Sequence, residues 1–292
     1  MKRNFRANPK RFLMGHDSEF AIFNRNKMAP IYGNISDLLG YDGLTGATRT
    51  VEARSVPSEC PLELVNRLHD TFKKKIKQYP QVLNYNWQAG SFKINPIGMH
   101  QHYGVSEKDI KHETAAKIIG NISGALSLLI EDRKEGLNRR SYEYGLISDY
   151  RPQPYGGFEA RVFSSALTSP QVMLAHLCLN KVIMYEILNN LAFEAEERFT
   201  DSDFRDMRTD KIIKYFDEIW SQVVQMQLYP QYKEYIDIFK FLITKERNWF
   251  SCDKYGRALD MKETWGLCSN ELPAAKPLVI PKYTGNPIFK DL

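Results

Sequence analysis

Residues 15–23 read GHDSEFAIF, a hydrophobic strand that carries two acids one residue apart. In an extended chain successive side chains point to opposite faces. Asp17 and Glu19 therefore share a face with Leu13, Gly15, Ala21 and Phe23. Two like charges so close repel each other and resist burial. A fold that accepts this strand has to compensate them with water, a basic residue or a metal ion.

Three further stretches repeat the pattern of polar residues at i and i+2. TVEARSV carries Glu52 and Arg54, PIGMHQHYGV carries His100 and His102, and GFEARVF carries Glu159 and Arg161. A single pair of this kind is ordinarily the solvent face of an antiparallel strand. The two Glu–Arg pairs could be surface bridges of small value, and a lone histidine is ordinarily structural. Four strands with these faces together would instead line one wall with Asp17, Glu19, Glu52, Glu159, His100, His102, Arg54 and Arg161. Carboxylates with imidazole and no sulfur suit magnesium or manganese rather than structural zinc. Two divalent ions would neutralise the acids, and the arginines would face an anion seated on them, most naturally a polyphosphate.

More arginines come from NRRSYEYGLISDYRPQPYGG, where Arg139, Arg140 and Arg151 precede the Glu159 strand. A basic surface loop accounts for them equally well. Gly145, Gly156 and Gly157 let this backbone turn sharply or approach a ligand. GxGxxG, GxxxxGK[ST] and GxSxG patterns are absent, which removes Rossmann, P-loop and nucleophile-elbow readings.

Between the strands run helical patterns. Pro61 opens a helix with an apolar stripe of Leu62, Val65, Leu68, Phe72 and Ile76. A second helix carries Ala115, Ile118, Ile119, Ile122, Leu126, Leu129 and Ile130 and is expected to end near Gly136, followed by loop. Helices are expected over 170–193, 209–227 and 230–244, and a partner strand for the first at MAPIY. Strands with intervening helices, then mainly helices, predict an α+β fold with a mostly antiparallel sheet. The expected division is a core over 1–175, a helical part over 176–250 packed on it, and a loop-rich tail over 251–292.

The chain has 292 residues, 26% charged and 43% hydrophobic, a globular balance with a net charge of only +5. RKEGLNRR and KKKIK read as solvated faces rather than nucleic-acid patches. No apolar run is expected to reach membrane-helix length, and no signal-peptide core follows the basic N-terminus. Cys60, Cys178, Cys252 and Cys268 form no CxxC pair and fit free thiols in a reducing cytoplasm.

The ordered set GHDSEFAIF, VEAR, GMHQHYG and FEARVFSSALTSP, with YGLISDYRPQPYGGFEAR in its middle, resembles the catalytic domain of the glutamine synthetase and glutamate–cysteine ligase superfamily. It is most similar to the compact phage-type carboxylate–amine ligases (amidoligases). The likeness spans about residues 12–175. It implies a curved, mostly antiparallel sheet with helices on its outer face. It further implies metal ligands at Asp17, Glu19, Glu52, His100 and Glu159. Arg161 would stand near the transferred phosphate, and Arg140 and Arg151 at phosphate-binding places, with Arg139 as the alternative to either. Asp17 stands where glutamine synthetase has glutamate, and Glu59 is the one candidate for a further carboxylate at the first metal. No counterpart of the separate N-terminal domain of glutamine synthetase is expected, so its ring assembly is not implied.

The implied activity is ATP- and Mg²⁺- (or Mn²⁺-) dependent amide formation through an acyl phosphate, in the cytoplasm of a host cell if the protein is phage-encoded. Its substrates would be a small-molecule or peptide carboxylate and an amine. Nucleic acid is permitted by the mild basicity but not indicated, no membrane role is expected, and oligomeric state is open. A non-catalytic virion or assembly protein that retains the fold, and a metal-dependent hydrolase, are the rival readings. His102 would orient a ligand or touch substrate, with the orienting role ranked first.

Overall fold

The acid-bearing strand is the hub of one eight-stranded antiparallel sheet in the computed structural model, which describes residues 3–24, 29–30, 44–46, 50–90, 97–244 and 260–267. In chain order the strands are β1 (Met14–Asn24), β2 (Ala29–Pro30), β3 (Leu44–Gly46), β4 (Val51–Arg54), β5 (Tyr85–Gln88), β6 (Gly98–Tyr103), β7 (Tyr150–Pro152) and β8 (Phe158–Ser164). The spatial order is β3-β4-β1-β6-β8-β7, with β2 and β5 paired to the far half of β1. The helices are α1 (Pro61–Gln78), α2 (His112–Ile119), α3 (Ala125–Leu128), α4 (Arg133–Ser141), α5 (Pro170–Asn189), α6 (Asp201–Arg205), α7 (Thr209–Val224), α8 (Tyr229–Thr244) and α9 (Met261–Thr264).

Alternation along β1 separates two faces. His16, Ser18, Phe20 and Ile22 are buried, and Ser18 lies against Met173 of α5. The same face of the sheet meets α5 through Gln101, which accepts from Asn180 at 2.8 Å, and through Phe163, whose ring stands 5.3 Å from His176. Ser169 caps α5 by accepting from the Val172 N–H, and Pro170 fills its first turn. Beyond that start nearly every residue of α5 is buried, because sheet, α1 and α8 surround it. By length and composition α5 does reach a membrane helix, contrary to the sequence expectation, yet 89% of its most apolar window is buried inside the fold. It is the core helix. It also crosses residue 175 unbroken, so the sheet-bearing and helical parts share it.

Two expectations need correction. The helix through Ala115 and Ile130 does not run to Gly136: α2 passes through a π-helical turn at Gly120–Gly124 into α3, which ends at Leu128. Gly120 is required there, since a Cβ would stand 2.3 Å from the Ile147 carbonyl oxygen. The arginine-bearing stretch expected as loop begins as helix α4, whose cap Asp132 accepts from the Glu135 N–H at 2.9 Å. KKKIK is mostly solvated as expected, though Lys75 turns inward. Of the expected tail only 260–267 lies among the described residues. It docks through Trp265, which donates to the Leu167 carbonyl at 2.6 Å, and Lys262, which bonds the Tyr85 carbonyl. Cys60 and Cys178 are free and buried, whereas Cys252 and Cys268 lie outside the described residues, as does the rest of MAPIY.

Candidate active site

The register brings the four polar pairs together. Asp17 faces Arg54 on β4 and His100 on β6, and Glu19 faces Glu52. His102 faces Glu159 on β8, and Glu159 faces Arg151 on β7. One wall therefore carries the acids, imidazoles and guanidiniums that the alternation placed on it.

Each acid has a different environment. Asp17 Oδ1 lies 3.1 Å from Arg54 Nε, and its Oδ2 lies 3.3 Å from His102 Nε2. Burial pushes its carboxyl up, but the close contact with His102 and the His102 and Arg54 charges prevail and hold it below the usual range. Glu19 accepts from the Gly98 N–H at 2.7 Å. Burial pushes its carboxyl up to about 7, with the Gly98 bond opposing and the Glu52 charge reinforcing. Glu52 pairs with Arg54. Glu159 is 2% exposed, and its Oε1 lies 3.2 Å from His100 Nδ1 and 3.1 Å from Arg161 Nε. Its other oxygen accepts from Gln153, and burial raises its pKa.

His100 sits between partners. Its Nδ1 faces Glu159 and its Nε2 meets the Tyr144 hydroxyl, partners that suit a neutral ring carrying its proton on Nδ1. Burial first, then the Arg161 and Arg139 charges, pull its pKa down to about 3. Arg161 lies 3.7 Å from Asp149 and stacks over Tyr144, its Cζ 4.9 Å from the ring centre.

The arginines of the NRR run do not join this wall. Arg140 is closed to solvent and paired with Glu131 at 2.7 and 3.2 Å. Arg139 is equally closed and donates to four backbone carbonyls, those of Ile97, Arg161, Val162 and Phe163. Both guanidiniums are closed to solvent and turned to protein acceptors, so the phosphate-binding roles expected for Arg139 and Arg140 are corrected; of the solvated face expected for RKEGLNRR, Arg133 and Lys134 are exposed as expected while Arg139 and Arg140 are not. Arg151 is exposed, with Nη1 3.9 Å from Glu159 Oε2, and stays available. Glu59 pairs with Arg11 at 2.7 Å rather than with the wall acids.

The donor set tests a metal directly. Buried Glu159 Oε1, Arg161 Nε and His102 Nε2 have ion-pair neighbours but no well-directed hydrogen bond. Glu19 and Glu52 face each other as like charges. Underserved oxygens and a repelling acid pair fit hard divalent ions. Among the described residues, however, no three His, Cys, Asp or Glu side chains already converge as a cage. The acids are instead held by Arg54, Arg161 and the imidazoles, which would have to yield on loading. Beside Asp17 and His102 opens a cleft of about 520 Å³ floored by Gly15 and walled by Pro57, Ser55 and Tyr155.

A sequence profile of the phage phiEco32-like COOH.NH2 ligase-type 2 family matches residues 14–267. The chain belongs to this family. Carboxylate–amine ligases join a carboxyl group to an amine as an amide. The match runs from β1 to α9, so it takes in the helical half, although the motifs that suggested the resemblance stop near residue 175. No curated protein matches the chain. Among solved structures it is similar to a bifunctional glutathione synthetase from Pasteurella multocida, with 10% identity and a TM-score of 0.48 over 82% of this chain and 48% of that one. The chain thus spans about half the length of that protein. PafA, the ligase of the prokaryotic ubiquitin-like protein Pup, gives 8% identity and a TM-score of 0.49 over 82% and 67%. GmaS without ligand gives 15% and 0.44 over 73% and 69%.

Tyr144, Asp149, Gln153 and Tyr155 are the site neighbours that strand alternation missed. They sit in turns and at β7, where no period marks a face, and only their crowding between arginines and glycines in NRRSYEYGLISDYRPQPYGG hinted at them.

Proposed function

We propose that this ligase uses ATP and a divalent metal, Mg²⁺ or Mn²⁺, to convert a substrate carboxylate to an acyl phosphate, which an amine then attacks to give the amide and phosphate. The observation that carries this reading is the registered wall of Asp17, Glu19, Glu52 and Glu159 with Arg161 beside it. Acids would repel a polyphosphate unless cations intervene, and phosphoryl transfer requires charge neutralisation and alignment rather than a protein nucleophile.

Asp17, Glu19, Glu52, His100 and Glu159 are the residues that would hold the ions, which supply positive charge to the phosphate oxygens. Arg161, tethered between Glu159, Asp149 and the Tyr144 ring, offers guanidinium donors where charge develops on the transferred phosphoryl. Arg151, exposed at the rim of the same wall, adds a second guanidinium for phosphate. His102 orients Asp17. The carboxylate and amine are small molecules or peptide groups, and the setting is the cytoplasm of a phage-infected cell.

Calorimetry of ATP with Mg²⁺ and with chelator tests the reading, followed by a phosphate-release screen over carboxylate and amine pools with product masses. Binding only with the ion, and a product lighter by one water than its two substrates, are expected. Equal ATP affinity in both conditions would leave the acids as a mere ion-pair lattice. Turnover without ATP would point to a hydrolase, and no turnover with any pool to a non-catalytic virion or assembly protein.

A further inference from the structure

β8 carries one residue more than its partner can pair. The ladder with β6 joins Gly98 to Ser164 and Met99 to Phe163, then resumes with Gln101 at Ala160. Arg161 and Val162 together therefore oppose the single residue His100. A bulge of this kind leaves ladder groups unpaired and re-aims the side chains it carries.

The Arg139 guanidinium takes up those groups. Nη2 donates to the Arg161 carbonyl at 3.0 Å and to the Phe163 carbonyl at 2.8 Å, and Nη1 to the Val162 carbonyl at 3.2 Å. Nε donates to Ile97, the residue before β6, at 3.1 Å. Consecutive carbonyls of a regular strand point to opposite sides, so three in a row meet one planar group only where the strand is bent. Glycines keep the room. A Cβ on Gly145, whose φ is +81°, would stand 1.6 Å from Nη1, and one on Gly98 would stand 3.0 Å from Nη2. The Tyr144 ring closes the assembly: its centre is 4.3 Å from Arg139 Cζ and 4.9 Å from Arg161 Cζ, and its hydroxyl meets His100.

We propose that Arg139 is a positioning residue: by gathering the bulge it fixes where Arg161 and, through Tyr144, His100 stand on the wall. The kinetic consequence rests on the ligase reading above, while the structural consequence rests on the geometry alone. Lysine keeps the charge but is a point donor on a flexible stem and does not reproduce the fork.

The test compares Arg139→Lys with Arg140→Lys, whose partner Glu131 lies off the bulge. Thermal melts measure the general penalty of disturbing a buried arginine in α4. Amide exchange over 158–164 and the ¹⁵Nε signal of Arg161, both in ligand-free protein, read the bulge without turnover. In Arg139→Lys exchange should quicken about tenfold and the Arg161 signal should move. Its kcat should fall by roughly ten- to a hundredfold, as for a reacting group displaced by a fraction of an ångström to an ångström, with KM for ATP within about twofold. Arg140→Lys should show only the lowered melting temperature. Unchanged exchange and an unmoved Arg161 signal in folded Arg139→Lys would overturn the proposal, as would equal kcat losses in the two variants at matched melting temperature. If Arg139→Lys does not fold, Arg139→Gln, which keeps two donors, carries the same readouts. A wild type without ATP-dependent turnover sinks the ligase reading, and the exchange and Arg161 signals still decide the role of Arg139.

Discussion

Glu19 and Glu52 stand directly opposite each other across the β1–β4 ladder, and among the described residues only Glu52 has a guanidinium partner, in Arg54. Like charges so placed are destabilising in a sheet, and Glu19, pushed up mainly by burial and further by the Glu52 charge, holds its proton to about pH 7.

That asymmetry gives a pH signature. A carboxyl whose folded pKa exceeds its unfolded one contributes stability in full below the unfolded value and loses it as pH rises through the folded value. For Glu19 this window runs from about 4.5 to about 7. His16 and His100, both depressed by burial, act in the opposite sense, so the single-variant difference is the clean measure. Melting temperature of metal-free wild type minus that of Glu19→Gln should decline across the window, and Mg²⁺ should flatten the decline. A flat metal-free difference would show that Glu19 is ionised and satisfied throughout.

Glu159→Gln should abolish turnover and leave the fold standing. The amide keeps the shape of the side chain, and Arg161 keeps Asp149 as a counterion at 3.7 Å. Apo melting temperatures within a few degrees of each other are expected. Should activity vanish only because the variant unfolds, the carboxylate is a structural ion-pair partner and no more.

Arg161→Lys should lower kcat on the order of a hundredfold, comparable with the loss of one oriented donor, and change ATP affinity far less. Hydroxylamine trapping of the acyl phosphate in a single turnover, beside equilibrium ATP binding, separates the two effects. Parallel losses in trapping and binding would make Arg161 a ground-state anchor instead.

The Glu131–Arg140 pair should behave as a structural unit. Glu131→Gln leaves a buried guanidinium charge without its counterion and should cost about 3–5 kcal/mol, whereas Glu131→Leu with Arg140→Met should recover most of that. Urea titration measures both. An unchanged midpoint in Glu131→Gln would mean that Arg140 has another acceptor and revive its candidacy as a phosphate ligand.

The wall was legible because strand alternation is local: once Asp17 and Glu19 are on an extended segment, their common face follows, and the same holds for His100 with His102 and Glu159 with Arg161. Arg139 and Arg140 were not legible for the opposite reason. NRR has the same composition on a solvated helix and under a sheet, and what holds it here carries no periodic mark: Glu131, nine residues before Arg140, and the carbonyls of a bulge that one extra residue in β8 creates, 22 to 24 residues after Arg139. The bulge also explains why Phe163 packs on α5 although it lies two positions beyond Arg161, where unbroken alternation would turn it to the wall. Tyr144 escaped notice because its neighbours are guanidiniums brought in by two different elements.

β1 changes character half-way along. From His16 to Glu19 its odd positions, Asp17 and Glu19, are half-buried acids and its even positions, His16 and Ser18, are closed in, but from Phe20 to Phe23 both parities are buried. A saturation scan scored separately for protein abundance and for product should therefore register two signals that alternate residue by residue across the first half of β1. Substitutions at 17 and 19 would yield abundant, inactive protein, and those at 16 and 18 would lower yield. Past Glu19 the two scores should fall together, so the scan would mark from phenotype alone the residue at which the strand stops serving substrate and serves only cohesion.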